Sequence, residues 1–249
     1  MPRIIAIANQ KGGVGKTTTT ISLGVALYRD GHRVLLVDLD PQAALSISLG
    51  VSVASLPHTI YQVLLGQSTA LQAMRRTASG PDLLPANIDL SAAELELAAQ
   101  IGRERFLAEA LAPATDHFDF ILLDLPPSLG LLTVNGLVAS SEVILPVQCE
   151  YLAGKALTLM LGTIDTIRTK LNPNLRILGI LPTMFNPRTL HANEVLEEIR
   201  MNFGVPVFAP VKQTVRFKEA PAGGLSILDY APGNDGAMAY RALAKEVLS

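Results

Sequence analysis

The sequence predicts an α/β fold, a doubly wound and mostly parallel sheet flanked by helices. Short apolar runs alternate with longer stretches of helical spacing, as βαβ units do. Several of these runs are apolar throughout rather than alternating, as in strands buried on both faces. Nothing in the chain reads as a repeat, a low-complexity stretch or a linker, so residues 1–249 are expected to form one domain.

Residues 3–8 (RIIAIA) read as the first buried strand, and residues 18–29 as a helix with Leu23, Ala26 and Leu27 on one face. Residues 33–37 (RVLLV) form a second strand running into Asp38, and residues 118–123 (FDFILL) another running into Asp124. Residues 143–147 (VILPV) and 176–181 (RILGIL) complete the strand set, each preceding a helical stretch. Residues 50–80 are the least regular region, expected to hold loops and short helices. A closing helix is expected from about Asp235. In an open parallel sheet, ligands bind beyond the carboxyl ends of the strands. Asp38 and Asp124 both fall there.

Composition narrows the function classes. With 49% hydrophobic residues in 249, the chain can bury a large core. No apolar run approaches the roughly 18 residues of a membrane span, and Met1-Pro2-Arg3 does not open a signal peptide. The single cysteine, Cys149, cannot form an internal disulfide, which suits a reducing, cytoplasmic setting. A net charge of −2 excludes a globally basic nucleic-acid binder, so any contact with DNA must come from a local patch.

The strongest motif is Lys11-Gly12-Gly13-Val14-Gly15-Lys16-Thr17-Thr18, set between the first strand and the first helix. Its glycines let backbone N–H groups converge on phosphate oxygens, and the following helix adds its N-terminal partial charge. Lys16 is expected to reach the β- and γ-phosphates of ATP, and the Thr17 hydroxyl to ligate Mg²⁺. The general pattern would need glycine at position 10. This chain has Gln10 there and opens the loop with Lys11 instead.

KGGVGKTT, followed by Asp38-Leu39-Asp40-Pro41-Gln42 and by Leu122–Ser128 (LLDLPPS), resembles the deviant Walker A ATPases of the ParA/MinD group. Residues 146–151 (PVQCEY), Thr183-Met184 and residues 215–221 (VRFKEAP) extend the resemblance over nearly the whole chain, and towards Soj-type ParA partitioning ATPases. The resemblance implies an ATP-driven sandwich homodimer in which Lys11 reaches the partner's nucleotide. It also implies that Asp40 orients the attacking water, that Asp38 supports its loop and the Mg²⁺ shell, and that Asp124 holds Mg²⁺ through water. Asn186 is implied in adenine recognition.

The same resemblance implies nonspecific double-stranded DNA binding through Arg188 and Arg216, with Lys212 and Lys218 as neighbouring candidates, and a ParB-like activator as partner. Such a protein would associate with the nucleoid. Gln213, Leu225, Gly154-Lys155 and Ala43-Ala44 depart from the Soj pattern and thin or relocate the basic patch. Two other roles share this core: a MinD-like membrane-associated ATPase, and a positioning ATPase for a protein cargo such as a microcompartment. Residues 237–249 carry only Arg241 and Lys245 as cations and read as a packed helix, so no membrane partner is expected.

Overall fold

The computed structural model describes residues 2–249. Seven strands form one sheet: β1 (Arg3–Ile7), β2 (Val34–Asp38), β3 (Arg75–Arg76), β4 (Asp82–Leu84), β5 (Phe120–Asp124), β6 (Glu142–Gln148) and β7 (Arg176–Thr183). Their spatial order is β3-β4-β2-β5-β1-β6-β7, parallel except for the β3–β4 pair at one edge. The chain leaves β1, crosses over, and returns as β2 on the far side of β5. The carboxyl ends of β1, β2 and β5 therefore lie together.

Six longer helices cover the sheet: α1 (Lys16–Arg29), α2 (Leu90–Ala98), α3 (Leu131–Ala139), α4 (Ala153–Lys170), α5 (Leu190–Asn202) and α6 (Asp235–Leu248). Alternate strand residues feed two apolar layers, as the period of two requires. Ile5, Ile7, Leu36 and Leu122 pack towards α1 and α6. Ala6, Leu35, Leu123 and Val143 pack towards the helices on the opposite face. All five residues of β2 and of β5 are buried, which is why these runs lack polar alternation.

Two buried polar anchors tie the last helix to the sheet and to α1. The Tyr240 hydroxyl meets Thr19 Oγ1 at 2.9 Å, and the Tyr240 ring packs edge-on against Phe217. At the other end, the buried Glu142 carboxylate accepts from Arg3 Nε at 2.8 Å and from Arg176 Nη2 at 2.9 Å. Arg3 also donates to the Val247 carbonyl of α6. The closing helix expected from about Asp235 is thus present, and its apolar face is used internally.

Strand and helix boundaries differ from the sequence expectation by up to two residues. The helix begins at Lys16 rather than at residue 18, because Gly15 in the left-handed region caps it at φ 89°. Residues 50–80 contain a 3-10 turn at Val53–Ser55 and short helices at Ile60–Leu64 and Ala70–Ala73. Each of these two helices opens with a capping box, Thr59/Gln62 and Thr69/Gln72. The antiparallel β3–β4 edge was not foreseen, since strands of two and three residues carry no readable period.

The layers approach most closely at Gly24 of α1, where a Cβ would stand 2.4 Å from Leu36 Cδ2 and 3.3 Å from Leu122 Cδ1. Both leucines are fully buried and cannot swing away. Gly24→Val is therefore expected to destabilise the protein by about 1–3 kcal/mol, read as a lower denaturation midpoint.

Candidate nucleotide site

The loop between β1 and α1 is held from three sides. Gly13 and Gly15 adopt φ 75° and 89°, a region where a side chain would be strained. Buried Asn9 donates to the Pro146 carbonyl at 2.6 Å and accepts from the Lys11 N–H at 2.9 Å. The Thr183 hydroxyl donates to the Val14 carbonyl at 2.7 Å. Strands β6 and β7 thereby fix the loop in place. A Cβ on Gly12 would meet nothing within 4 Å, so the face of the loop is open to a ligand.

The two lysines of the motif point to different places. Lys16 is 7% exposed, and its ammonium makes one long contact, 3.4 Å to the Lys11 carbonyl. Burial lowers its pKa, while Asp124 and Asp40 act to raise it. A buried cation with so little to hold calls for an anion. Lys11 instead turns outward, its side chain 42% exposed and paired with Glu150 Oε2 at 2.8 Å. Gln148 Nε2 donates to the other Glu150 oxygen at 2.5 Å and steadies the pair.

The acidic residues converge as the motif order suggests. Parallel pairing of β2 with β5 sets Asp38 directly opposite Asp124. Asp124 accepts from the Thr17 hydroxyl at 2.7 Å, which places the two expected Mg²⁺-shell groups side by side. Asp38 is fully buried. Its carboxylate accepts from the Asp40 N–H at 3.2 Å, and from the Ser46 N–H at 2.9 Å and hydroxyl at 2.7 Å. Those bonds make Asp38 the anchor of the loop that carries Asp40. Asp40 itself is partly exposed, and its carboxylate accepts from the Gln42 N–H at 2.9 Å.

A cleft of about 680 Å³ runs from Gly15 and Thr18 past Thr183 and Asn186 to Lys212–Val215. Asn186 lines it, with its own side chain accepting from the Arg188 N–H at 3.0 Å. The cleft continues from the phosphate loop and has the size of a nucleoside site. The loop, the Thr17–Asp124 pair and this cleft together fit ATP with Mg²⁺.

Arg188, Lys212 and Lys218 line the same cleft, and Arg216 lies on the adjoining turn. The four cations are not equally available. Lys212 pairs with Asp235 at 3.1 Å and Arg216 with Glu219 at 2.6 Å. Among the described residues, Arg188 and Lys218 have no carboxylate within ion-pair distance. Asn9, Ser46, Glu150 and Tyr240 escaped the sequence reading as site residues. Each acts through a contact to a residue distant in the chain or across a turn, and Asn, Ser and Glu are too common to stand out without a motif.

Known proteins bear on this geometry. A family model described as an AAA domain matches residues 2–177, well over half of the chain. The sporulation initiation inhibitor protein Soj of Bacillus subtilis is 44% identical over 99% of this chain and 98% of its own length. The chain belongs to the ParA/Soj family of P-loop ATPases. The chromosome partitioning protein ParA of Caulobacter vibrioides is 43% identical over 99% of this chain and 94% of its own. Among solved structures, one named cobyrinic acid a,c-diamide synthase, from Mycobacterium smegmatis with bound ADP and magnesium, superposes with a TM-score of 0.90. It is 44% identical and covers 100% of this chain and 94% of that one. A second structure of the same protein holds an ATP analogue and magnesium. ATP hydrolysis with Mg²⁺ is thus this ParA/Soj-family chain's chemistry.

The buried carboxylates have a measurable consequence for the nucleotide-free protein. Burial, reinforced by Asp38, pushes Asp124 up to about 8, and burial pushes Asp38 up to about 6. A carboxyl raised in the folded state holds a proton that the unfolded chain has released. Its stabilising contribution is therefore complete below pH 4 and lost as pH rises through 8. The melting temperature of nucleotide-free protein is expected to fall between pH 5 and pH 8.5. Asp124→Asn should flatten that fall and abolish Mg²⁺-dependent hydrolysis.

Proposed function

We propose that the protein is a DNA-partitioning or positioning ATPase whose ATP-bound sandwich dimer binds DNA without sequence preference. Hydrolysis, stimulated by a ParB-like partner, then releases it. The observation that carries this reading is the divergence of Lys11 and Lys16. One loop presents one cation inward to its own phosphate site and a second outward, beyond that site. An outward lysine at this position can complete a neighbour's site, as an arginine finger does in trans.

Within each site the residues have separable tasks. The loop N–H groups and Lys16 hold the phosphates, and Thr17 and Asp124 hold the Mg²⁺ shell. When bound, the ion neutralises developing charge on the transferred phosphoryl group. Asp40 orients water, which suffices for a transfer that depends mainly on positioning and electrostatics. Asp38 and Ser46 hold the Asp40 loop, the expected first switch. A loop of this kind, ordered by γ-phosphate, gives the dimer two states.

DNA binding follows from Arg188 and Arg216 presented twice by the dimer, with Lys218 beside them. Their position at the nucleotide cleft supports a link between ATP and DNA. The Arg216–Glu219 and Lys212–Asp235 pairs are solvent-screened and weak, so phosphate can displace the carboxylates. The packed α6 supports DNA rather than a membrane as the target. Ala237, Tyr240, Leu243 and Val247 are all buried and not available to lipid. The amide-forming name of the M. smegmatis structure finds little support in this chain. Its only thiol, Cys149, is buried and pushed up to about 11, unlike the exposed thiolate that glutamine hydrolysis needs.

Lys11→Ala is expected to keep ATP binding but lose ATP-dependent dimerisation in light scattering. A normal dimer would remove the trans role. Asp40→Ala should accumulate as an ATP-bound dimer with hydrolysis reduced at least tenfold in a phosphate-release assay. Duplex DNA should bind with ATP and not with ADP. The slope of log K against log salt should be about −3 to −4, for four arginine–phosphate contacts. Binding that is indifferent to nucleotide would overturn the DNA reading.

A further inference from the structure

A groove of about 810 Å³ lies at the opposite end of the sheet from the nucleotide cleft. It is bounded by the C-terminal end of α1, the β3–β4 edge and the segment entering β5. Four arginines line it, Arg29, Arg33, Arg75 and Arg76, against a single acid, Asp82. His32 and His117 lie on the same wall. No other cavity described above gathers so many cations, and the whole chain carries a net charge of −2.

The arginines are held in place rather than loose. Asp229 pairs with Arg29, Asp119 with Arg33 at 2.7 Å, and Asp82 with Arg76 at 3.2 Å. The Arg76 side chain is still 83% exposed, leaving its terminal nitrogens open. Arg75 has no carboxylate partner among the described residues. Its Nη1 donates to the Gln72 and Met74 carbonyls at 3.1 and 2.7 Å, which leaves its other nitrogens to face a ligand. Counting Asp119 and Asp229 with Asp82, the four arginines face three acids, and the one arginine without a carboxylate partner, Arg75, sits on the β3 edge beside the exposed Arg76.

Between these cations the lining is apolar. Leu71, 46% exposed, Met74 and Phe118 contribute to it. The Tyr28 ring lies against Gly80, where a Cβ would stand 2.1 Å from the ring, so the glycine permits this wall. A basic rim over an apolar lining suits a ligand that carries carboxylates around an apolar anchor. DNA would satisfy the rim and leave the lining unused.

We propose that this groove docks an acidic segment of a partner protein, with one aliphatic or aromatic side chain seated against Leu71 and Met74 and its carboxylates on Arg75 and Arg76. The site stands apart from the phosphate loop by the length of β2, about 16 Å for five residues. Docking therefore does not require the nucleotide cleft to be open. The proposal goes beyond the DNA-partitioning reading and does not depend on it.

The test uses the full chain and fluorescence anisotropy. The probe is a labelled 12-residue Glu/Asp-rich peptide containing one Leu and one Phe. Its Lys-substituted counterpart, an acidic peptide without the two apolar residues, and a short DNA duplex serve as comparisons. The acidic-apolar peptide should bind with ATP, with ADP and without nucleotide. Arg75→Glu with Arg76→Glu should weaken it at least tenfold, and Leu71→Glu, at an exposed position, at least threefold. ATP binding by these variants, measured separately, should be unchanged and so report an intact fold. Equal binding of the acidic and basic peptides would overturn the proposal, as would binding untouched by the charge reversal. Duplex DNA binding lost on Arg75/Arg76 reversal, with no peptide binding, would make the groove a phosphate surface and also overturn it.

Discussion

The structure turns on two carboxylates placed side by side in the interior. Register between β2 and β5 puts Asp38 against Asp124, both buried at the carboxyl end of the sheet. Like charges so close and so dry oppose each other, and their surroundings answer that conflict. Ser46 and the Asp40 amide surround Asp38, Thr17 bonds Asp124, and Lys16 supplies a buried cation nearby. A divalent cation beside this pair would offset part of their negative charge. The fold thus holds two buried acids and one buried cation where the phosphate loop begins.

Everything that locates those groups follows from how the chain crosses the sheet. Because β5 is inserted between β1 and β2, three strand ends meet at one point, with α1 starting there. The same connections bring the opposite ends of α1, β2 and β5 together around the basic groove. One set of elements therefore supports two unlike surfaces, an anion-binding loop above and an arginine-rimmed groove below. Gly24 lets α1 lie close enough to the sheet to serve both.

Much of the nucleotide site was legible because its chemistry is local. A phosphate loop needs glycines, a lysine and a hydroxyl within eight consecutive residues, and residues 11–18 hold them. The central strands were legible because both faces are buried and the runs are continuously apolar. The β3–β4 edge was not, since its strands are shorter than any period. The short helices expected within residues 50–80 are present, but their places were not legible, because their evidence lies in caps such as Thr59/Gln62 rather than in an apolar stripe.

By itself the sequence determined the fold class, the phosphate loop, and the identity of Asp38 and Asp124 as acids at strand ends, because these depend on residue type and short spacing. Only the tertiary structure decided that Lys11 rests on Glu150, that Asp38 is consumed by Ser46, and that Lys212 and Arg216 already have carboxylate partners. It also decided that Arg75 and Arg76 share a groove with Arg29 and Arg33. The physical reason is common to all of these. Each depends on which side chains meet across tens of residues, and strand order and crossover, not local spacing, set those meetings.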